Sequence, residues 1–541
     1  MSYQRAQAFE TSDDELDSLR SSGPPVEVAS FEEAIARSGG FGRLQWLASL
    51  ILILAINAGE LLVVNLAYFE LMPTYECRAD GPDGETYWAG CEPADFCAAD
   101  GSYDREAVRV DWSSPTSLHN WVEQLDLACE KKATFGLMGS MVFLGWMASA
   151  TFAPRLSDLH GRKYFFLGFM TMQTAFVAGI ALTTSVKALL PLLFLFGLCS
   201  CGRLPIAYVY LMELMTERNQ KIVGPMINAS IGFCMVLSTF LLTHTPKSTA
   251  VILHVSLAIS VLSIVVTYFL IPESPKFLYA TGQHHRCQEA FARIASFNGH
   301  KGAFANVTFC ESSAESAPLL KGKRGEAREL CENKTYLRNL LIMVFTWCTL
   351  SFSYYLLNFL LKYLQGDIFM NSYAASGAEI VSKALSSPIL IYLGLKALFG
   401  LTFGLGAIGA LCLVLLPGAS DRMTCLFVLV AKFGLSMGWV GGYMGLILTF
   451  PTTLVSTAMG CCNLASRALS MLAPMVAELP EVVPLLTILT LCAIAVVLTQ
   501  FLKVAPQELQ PAAKKNEDVS GIEVGLKNTS ETMLSGDHSS S

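Results

Sequence analysis

The sequence predicts an all-α membrane protein, a bundle of about twelve transmembrane helices in a 6+6 arrangement. Three observations predict it. Only 15% of the 541 residues are charged while 53% are hydrophobic, against roughly 25% charged in ordinary soluble domains. The apolar residues gather into about twelve runs, each near the roughly 20 residues a helix needs to cross hydrocarbon. A polar segment, 272–336, divides those runs evenly. Segments of that length satisfy every backbone group inside lipid only as helices.

Taken in order, residues 1–43 are a polar, acidic cytosolic tail, expected to be disordered over 1–40 and lacking the basic, then apolar, pattern of a cleavable leader. The first half, 44–271, holds runs near 44–71, 134–155, 164–183, 188–214, 222–243 and 250–271, with a large loop at 73–133. Segment 272–336 is a cytosolic linker in which Ala290, Phe291, Ile294 and Phe297 fall at helical spacing. The second half, 337–503, holds runs near 337–361, 373–393, 396–417, 423–447, 453–479 and 483–503. Residues 504–541 form a disordered cytosolic tail.

Basic residues orient the bundle, because short cytosolic links carry the Lys and Arg excess. Arg155, Arg162 and Lys163 lie between runs two and three, and Arg218 and Lys221 between four and five. Both termini and the linker are therefore cytosolic and the 73–133 loop is outside. That loop holds Cys77, Cys91, Cys97 and Cys129, enough for two disulfides in any of three pairings. The other cysteines read as small apolar packing residues. No metal spacing, phosphate-binding glycine loop or nucleophile elbow is present, so the expectation is a non-enzyme without cofactor, metal or nucleic-acid partner.

Leu156-Ser-Asp-Leu-His-Gly-Arg-Lys163 joins two spans by a link too short to hold a domain. A carboxylate ending one helix and a basic pair opening the next can latch the two, as a gate requires. Asp158 with Arg162 and Glu213 with Arg218 are the expected cytosolic gate, with Gly161 where helices approach too closely for a side chain.

Several motifs then fall in register. Gly39-Gly-Phe-Gly-Arg-Leu-Gln45 precedes the first run, and Trp121-Val-Glu-Gln-Leu-Asp-Leu-Ala-Cys129 ends the outer loop. Pro272-Glu-Ser-Pro-Lys-Phe-Leu278 follows the sixth run, then Gly282, Ala290, Ile294-Ala295 and Asn298-Gly299. Phe450-Pro-Thr452 and Met459-Gly460 lie at the eleventh. Along nearly its whole length the chain resembles the organic ion transporters of the major facilitator superfamily, the solute carrier 22 group. The resemblance implies a carrier in the plasma membrane, with substrate held between two halves that rock against each other.

Ionisable residues at membrane depth are functional candidates because each costs about 2.5–3.5 kcal/mol to insert. Here they include Arg203, Lys383, Lys432 and Arg467. Lys383 and Arg467 fall where anion-carrying members of the family have Lys and Arg, which implies anionic cargo, and a guanidinium suits a carboxylate or sulfate. Glu379, one turn before Lys383, can neutralise it. Lys432 reads as closer to a span end, where snorkelling would satisfy it. Arg203 has Glu60 or Glu213 as a candidate partner, or contacts the anion itself. Tyr354 and Tyr355 resemble the family's tyrosine pair, and with Trp439 they supply flat rings for a loose pocket.

The family's second-half gate is eroded here: its Gly-Arg-Arg becomes Gly394-Leu395-Lys396, its acid and arginine around Phe-Pro-Thr become Leu448 and Ser456, and its early span 4 arginine becomes Leu193. The expected function is polyspecific transport of small organic anions by alternating access, through exchange or facilitated diffusion. A cation or zwitterion carrier using Glu60 and Glu379 is the alternative, and a non-transporting sensor or scaffold a second one. The partners expected are a small organic ion and the lipid bilayer, with the monomer as a possible state.

Overall fold

The structure is a computed structural model and describes residues 26–28, 31–80, 86–99, 101–114, 116–245, 247–300, 307–309, 330, 332–364, 367–480 and 482–504. Ten described helices are long and apolar enough to cross a membrane. One of them, Ile368–Leu415, has 48 residues and turns at Gly394, where φ is +83°, so it is spans 8 and 9 joined end to end. Span 11 is broken into Thr452–Ser470 and Ala473–Ala477, the second piece opening on Pro474. With these two resolved, twelve passages remain. Prolines lie inside spans 4, 5 and 8 (Pro191, Pro205, Pro225 and Pro388), which membrane helices tolerate better than soluble ones.

Within the first half, span 2 (Lys132–His160) and span 4 (Val186–Glu213) pack backbone to backbone. A Cβ on Gly145 would meet the Phe194 carbonyl at 2.2 Å, and one on Gly197 would meet that of Val142 at 2.2 Å. In lipid, small residues are what permit such an approach, and dispersion then holds the pair.

Two segments depart from expectation. Part of the N-terminal tail is structured: Phe31–Arg37 is helical, with Ala34 and Ile35 buried. It rests on the linker helices Pro275–Ala280 and His284–Phe297, where Phe31 meets Tyr279 of the first at 5.0 Å and Phe291 of the second at 6.1 Å. Strand β1 (Val26–Val28) also pairs with a linker strand at Val307–Phe309. Residues 1–25 and 505–541 lie outside the described residues.

The outer loop carries a three-stranded antiparallel sheet of β2 (Tyr75–Asp80), β3 (Thr86–Cys91) and β4 (Val108–Val110), with β2 in the middle. These short strands lie outside the membrane runs, and hydrogen bonding between them satisfies their backbone groups. The structure selects one of the three disulfide pairings: Cys77–Cys91 and Cys97–Cys129.

The linker lies under the first half. Asn298 accepts from the Leu44 amide at 2.9 Å and donates to Gln45 at 3.0 Å and to the Ser38 carbonyl at 2.9 Å. A Cβ at Gly42 would fall 2.4 Å from Asn298, which gives the glycine-rich entry motif a physical reason.

Several bonds between the two halves lie toward the outer side. Ser140 donates to the Met471 carbonyl at 2.7 Å and Thr239 meets Ser372 at 2.9 Å. Tyr68 stacks on Phe369 at 5.8 Å. The outer mouth is closed.

Candidate functional site

Spans 7, 8, 10 and 11 bring a charged, aromatic cluster together beneath that closure. Glu379 of span 8 sits at its centre and is 1% exposed. One oxygen accepts from Lys383 at 2.6 Å, one helical turn on. The other accepts from Tyr354 of span 7 at 2.7 Å and lies 3.7 Å from Lys432 of span 10. Lys432 also donates to Asn358 at 2.6 Å and sits 3.4 Å from the Tyr354 ring centre. Buried polar groups persist in an apolar bundle only when paired in this way.

Lys432 therefore departs from the expectation of snorkelling. It is 0% exposed and anchored deep in the second half. Its position twelve residues into a 29-residue helix is the signal that pointed to depth. Lys383 also donates across to the Asn228 carbonyl of span 5 at 2.8 Å, so it touches both halves. Glu379 does neutralise it in part, as the one-turn spacing predicts.

Arg467 of span 11 is half-buried at the boundary between the halves. Its guanidinium lies 4.6 Å over the ring of Trp146, from span 2, and 3.5 Å from the Tyr355 hydroxyl. Trp146 and Tyr355 contact each other edge to face at 5.7 Å. Trp439, also half-buried, is 6.0 Å from Tyr354. Sequence reasoning missed Trp146; nothing in its span marks it out from packing aromatics.

Arg203 is elsewhere. It is wholly buried in the first half, donating to Gln173 at 2.8 Å and to the carbonyls of Ala55 and Ile56. Glu213 is not its partner, since that carboxylate faces Arg162. Glu60 of span 1 is buried and forms no direct ion pair among the described residues. The cations acting on it are Arg203 from its own half and Lys383 and Arg467 from the other.

At the cytosolic end, span 2 runs into span 3 (Arg162–Leu182) through Gly161 alone, with φ +103° and ψ 161°. Residues with a side chain avoid that region. A Cβ there would also fall 2.7 Å from Glu273, so the expected lack of room is met. Arg162 pairs with Asp158 at 2.6 Å and Glu213 at 3.3 Å. Glu273 accepts from the amides of Arg162 and Lys163, each at 3.0 Å. It is a carboxylate at the positive end of span 3, where unpaired amides favour an anion. Glu273 was missed as a gate residue although its motif had been singled out. Arg218 corrects the expectation in the other direction, since it forms no ion pair among the described residues.

The second-half counterpart keeps the turn without the charges. Gly394 repeats the glycine-only backbone, and Lys396 donates to the Gln500 carbonyl at 2.8 Å rather than to an acid.

Comparison with known proteins agrees with this architecture. Residues 93–510 match the family described as sugar (and other) transporter. Human organic cation/carnitine transporter 2 is 24% identical over 379 residues, covering 69% of this chain and 67% of that protein. In its rat and mouse counterparts the match spans slightly under two thirds of the relative's length, 65% and 63%. Rat organic anion transporter 3 is 23% identical over 380 residues, covering 69% of this chain and 70% of that one. Among solved structures, the E. coli xylose transporter XylE in a partially occluded inward-open conformation superposes with a TM-score of 0.59 at 12% identity. That match covers 86% of this chain and 98% of XylE. The chain belongs to the sugar (and other) transporter family and is a multi-pass membrane transporter of the major facilitator type, related to the solute carrier 22 proteins.

Proposed function

We propose that this transporter carries small organic anions of the carboxylate or sulfate type, by exchange or facilitated diffusion across the plasma membrane. The carrying observation is the charge count where the halves meet. Among the described residues, Lys383 and Lys432 share one carboxylate, Glu379, with Arg467 nearby, and the other deep carboxylate, Glu60, lies between these cations and Arg203 of the first half. An anion would complete the balance, and uncompensated charge in low dielectric is costly.

In this reading Arg467 offers its fork to the anion, with Lys383 as a second, movable charge. Tyr355, Trp439 and Trp146 stack against the apolar body of the cargo. Tyr354 stands behind them, holding Glu379. Arg203 shapes the field without touching cargo, because each nitrogen of its buried guanidinium donates within the first half. Asp158, Gly161, Arg162, Glu213 and Glu273 form the cytosolic gate of the first half.

A zwitterion is the second reading, and Glu60 favours it. This buried carboxylate forms no direct ion pair among the described residues, and a cationic group on the cargo would supply one. Proteoliposome uptake of a labelled aromatic carboxylate and a labelled quaternary ammonium separates the two readings. Carboxylate uptake is expected to fall at least tenfold in Arg467→Ala and several-fold in Lys383→Ala. Ammonium uptake that survives both and is lost in Glu60→Gln would replace anion transport with the zwitterion or cation reading.

A further inference from the structure

A second ion cluster lies well away from the cargo cluster, at the outer ends of three spans. Glu70 follows span 1, Lys362 follows span 7, and Glu478 caps the short final helix of span 11. Lys362 bridges the two acids, 2.9 Å from Glu70 and 2.8 Å from Glu478. Their side chains are 2%, 1% and 6% exposed. Because Glu70 belongs to the first half and the other two to the second, the cluster is part of the closed outer mouth.

The charges do not balance: one ammonium serves two carboxylates. The acids are also unequally provided for. Glu478 fills both oxygens, one from Lys362 and one from the Tyr363 hydroxyl. Glu70 fills one oxygen, and its Oε1 is buried with no hydrogen-bond partner. The charged groups acting on Glu70 are Lys362 and Glu478, and the ring facing Lys362 from span 2 is Phe135, 5.8 Å away. Among the described residues, Lys362 is the one cation acting on Glu70, so the extra charge is not offset. An ionised carboxylate with a bare buried oxygen is among the costlier arrangements a protein interior can hold.

We propose that the outer gate binds a proton on Glu70 Oε1 when it closes and releases it when it opens. A proton from external water converts the carboxylate to a carboxylic acid. The closed cluster is then one ammonium, one carboxylate and one neutral acid, with no net charge. Opening separates span 1 from spans 7 and 11 and hydrates Glu70, which restores its ordinary acidity and returns the proton outside.

The sign follows. The proton is held more tightly in the closed state, so external acid favours closure, and that advantage fades as pH rises through the closed-state value. With one linked proton, the open-to-closed ratio changes by at most about tenfold per pH unit. The inference rests on the alternating-access reading but on no particular cargo.

The test measures the outer mouth directly. Spin labels at Lys187→Cys and Val482→Cys, on opposite halves, are placed in the reconstituted full chain with Cys461, Cys425, Cys412 and Cys348 changed to serine. Distances are read from pH 5.5 to 8. The long-distance population should grow as pH rises, whereas Glu70→Gln, uncharged throughout, should stay near the acid-pH distribution at every pH. Lys362→Ala removes the bridge and should enlarge the long-distance population even at pH 5.5. If Lys362→Ala opens the mouth but pH has no effect, or pH acts equally on Glu70→Gln, the proton site is wrong. If no variant or pH moves the distance, the alternating-access reading itself fails.

Discussion

The links between spans 2 and 3 and between spans 8 and 9 are two solutions to one turn. Both pass a chain between antiparallel helices through one glycine, Gly161 or Gly394, in a backbone conformation that side chains avoid. Around Gly161 the protein has built a charged network from three further segments: Asp158, Glu213 and Glu273 all converge on Arg162. Around Gly394 a Cβ would meet nothing within 4 Å, and Lys396 reaches only a carbonyl. Backbone shape and gate chemistry are therefore separable. The turn survives for chain geometry, while the charges survive only in the half that clamps the linker.

The sharpest way to break this comparison is to remove the central cation on each side. Arg162→Ala strips the partner from two carboxylates and is expected to reduce transport at least tenfold in a liposome flux assay. Lys396→Ala should cost less than twofold, and equal losses would show that the second link also gates.

A smaller difference should separate the glycines. Gly394→Ala carries only the backbone cost, about 1–3 kcal/mol. Gly161→Ala adds the clash with Glu273 and should melt lower in a detergent thermal-shift measurement. If the two variants melt together, the packing around Gly161 is not a constraint.

The gentlest test concerns the linker. Cys287 is fully buried beneath the first half, donates to the Pro275 carbonyl, and has its thiol pushed up to about 12 by burial. At pH 7.5 maleimide should leave Cys287 intact by peptide mapping in the folded protein and modify it once the chain is denatured. Labelling at similar rates in both states would mean the clamp beneath the first half opens readily.

The apolar runs made the bundle legible because membrane helices leave few other readings of 20 uncharged residues. Arg467 with Tyr355 and Lys383 with Glu379 were also visible, by depth and by one-turn spacing. Pairing across the fold was not. Glu273 joins Arg162 over 111 residues, and Lys362 reaches Glu70 over 292. A charge at the end of an apolar run looks the same in sequence whether it snorkels or is sealed between halves, so Glu70, Lys362 and Glu478 gave no signal. Lys432 differs: its place twelve residues into its helix does signal depth, and the snorkelling expectation set it too near the span end. The outer sheet went unseen because its strands are three to six residues long, below any usable period.

The outer domain has a consequence of its own. Asn120 bonds the carbonyls of Tyr68 and Leu71, Lys247 reaches the Ser114 carbonyl, and the Thr249 amide donates to that of His119. All of these anchor points belong to the first half. The disulfide-stapled cap is thus a rigid handle on one of two moving jaws, with Tyr87, Trp88 and Trp112 exposed on its surface. An antibody fragment gripping that handle and the start of span 12 together would immobilise the jaws without entering the transport path.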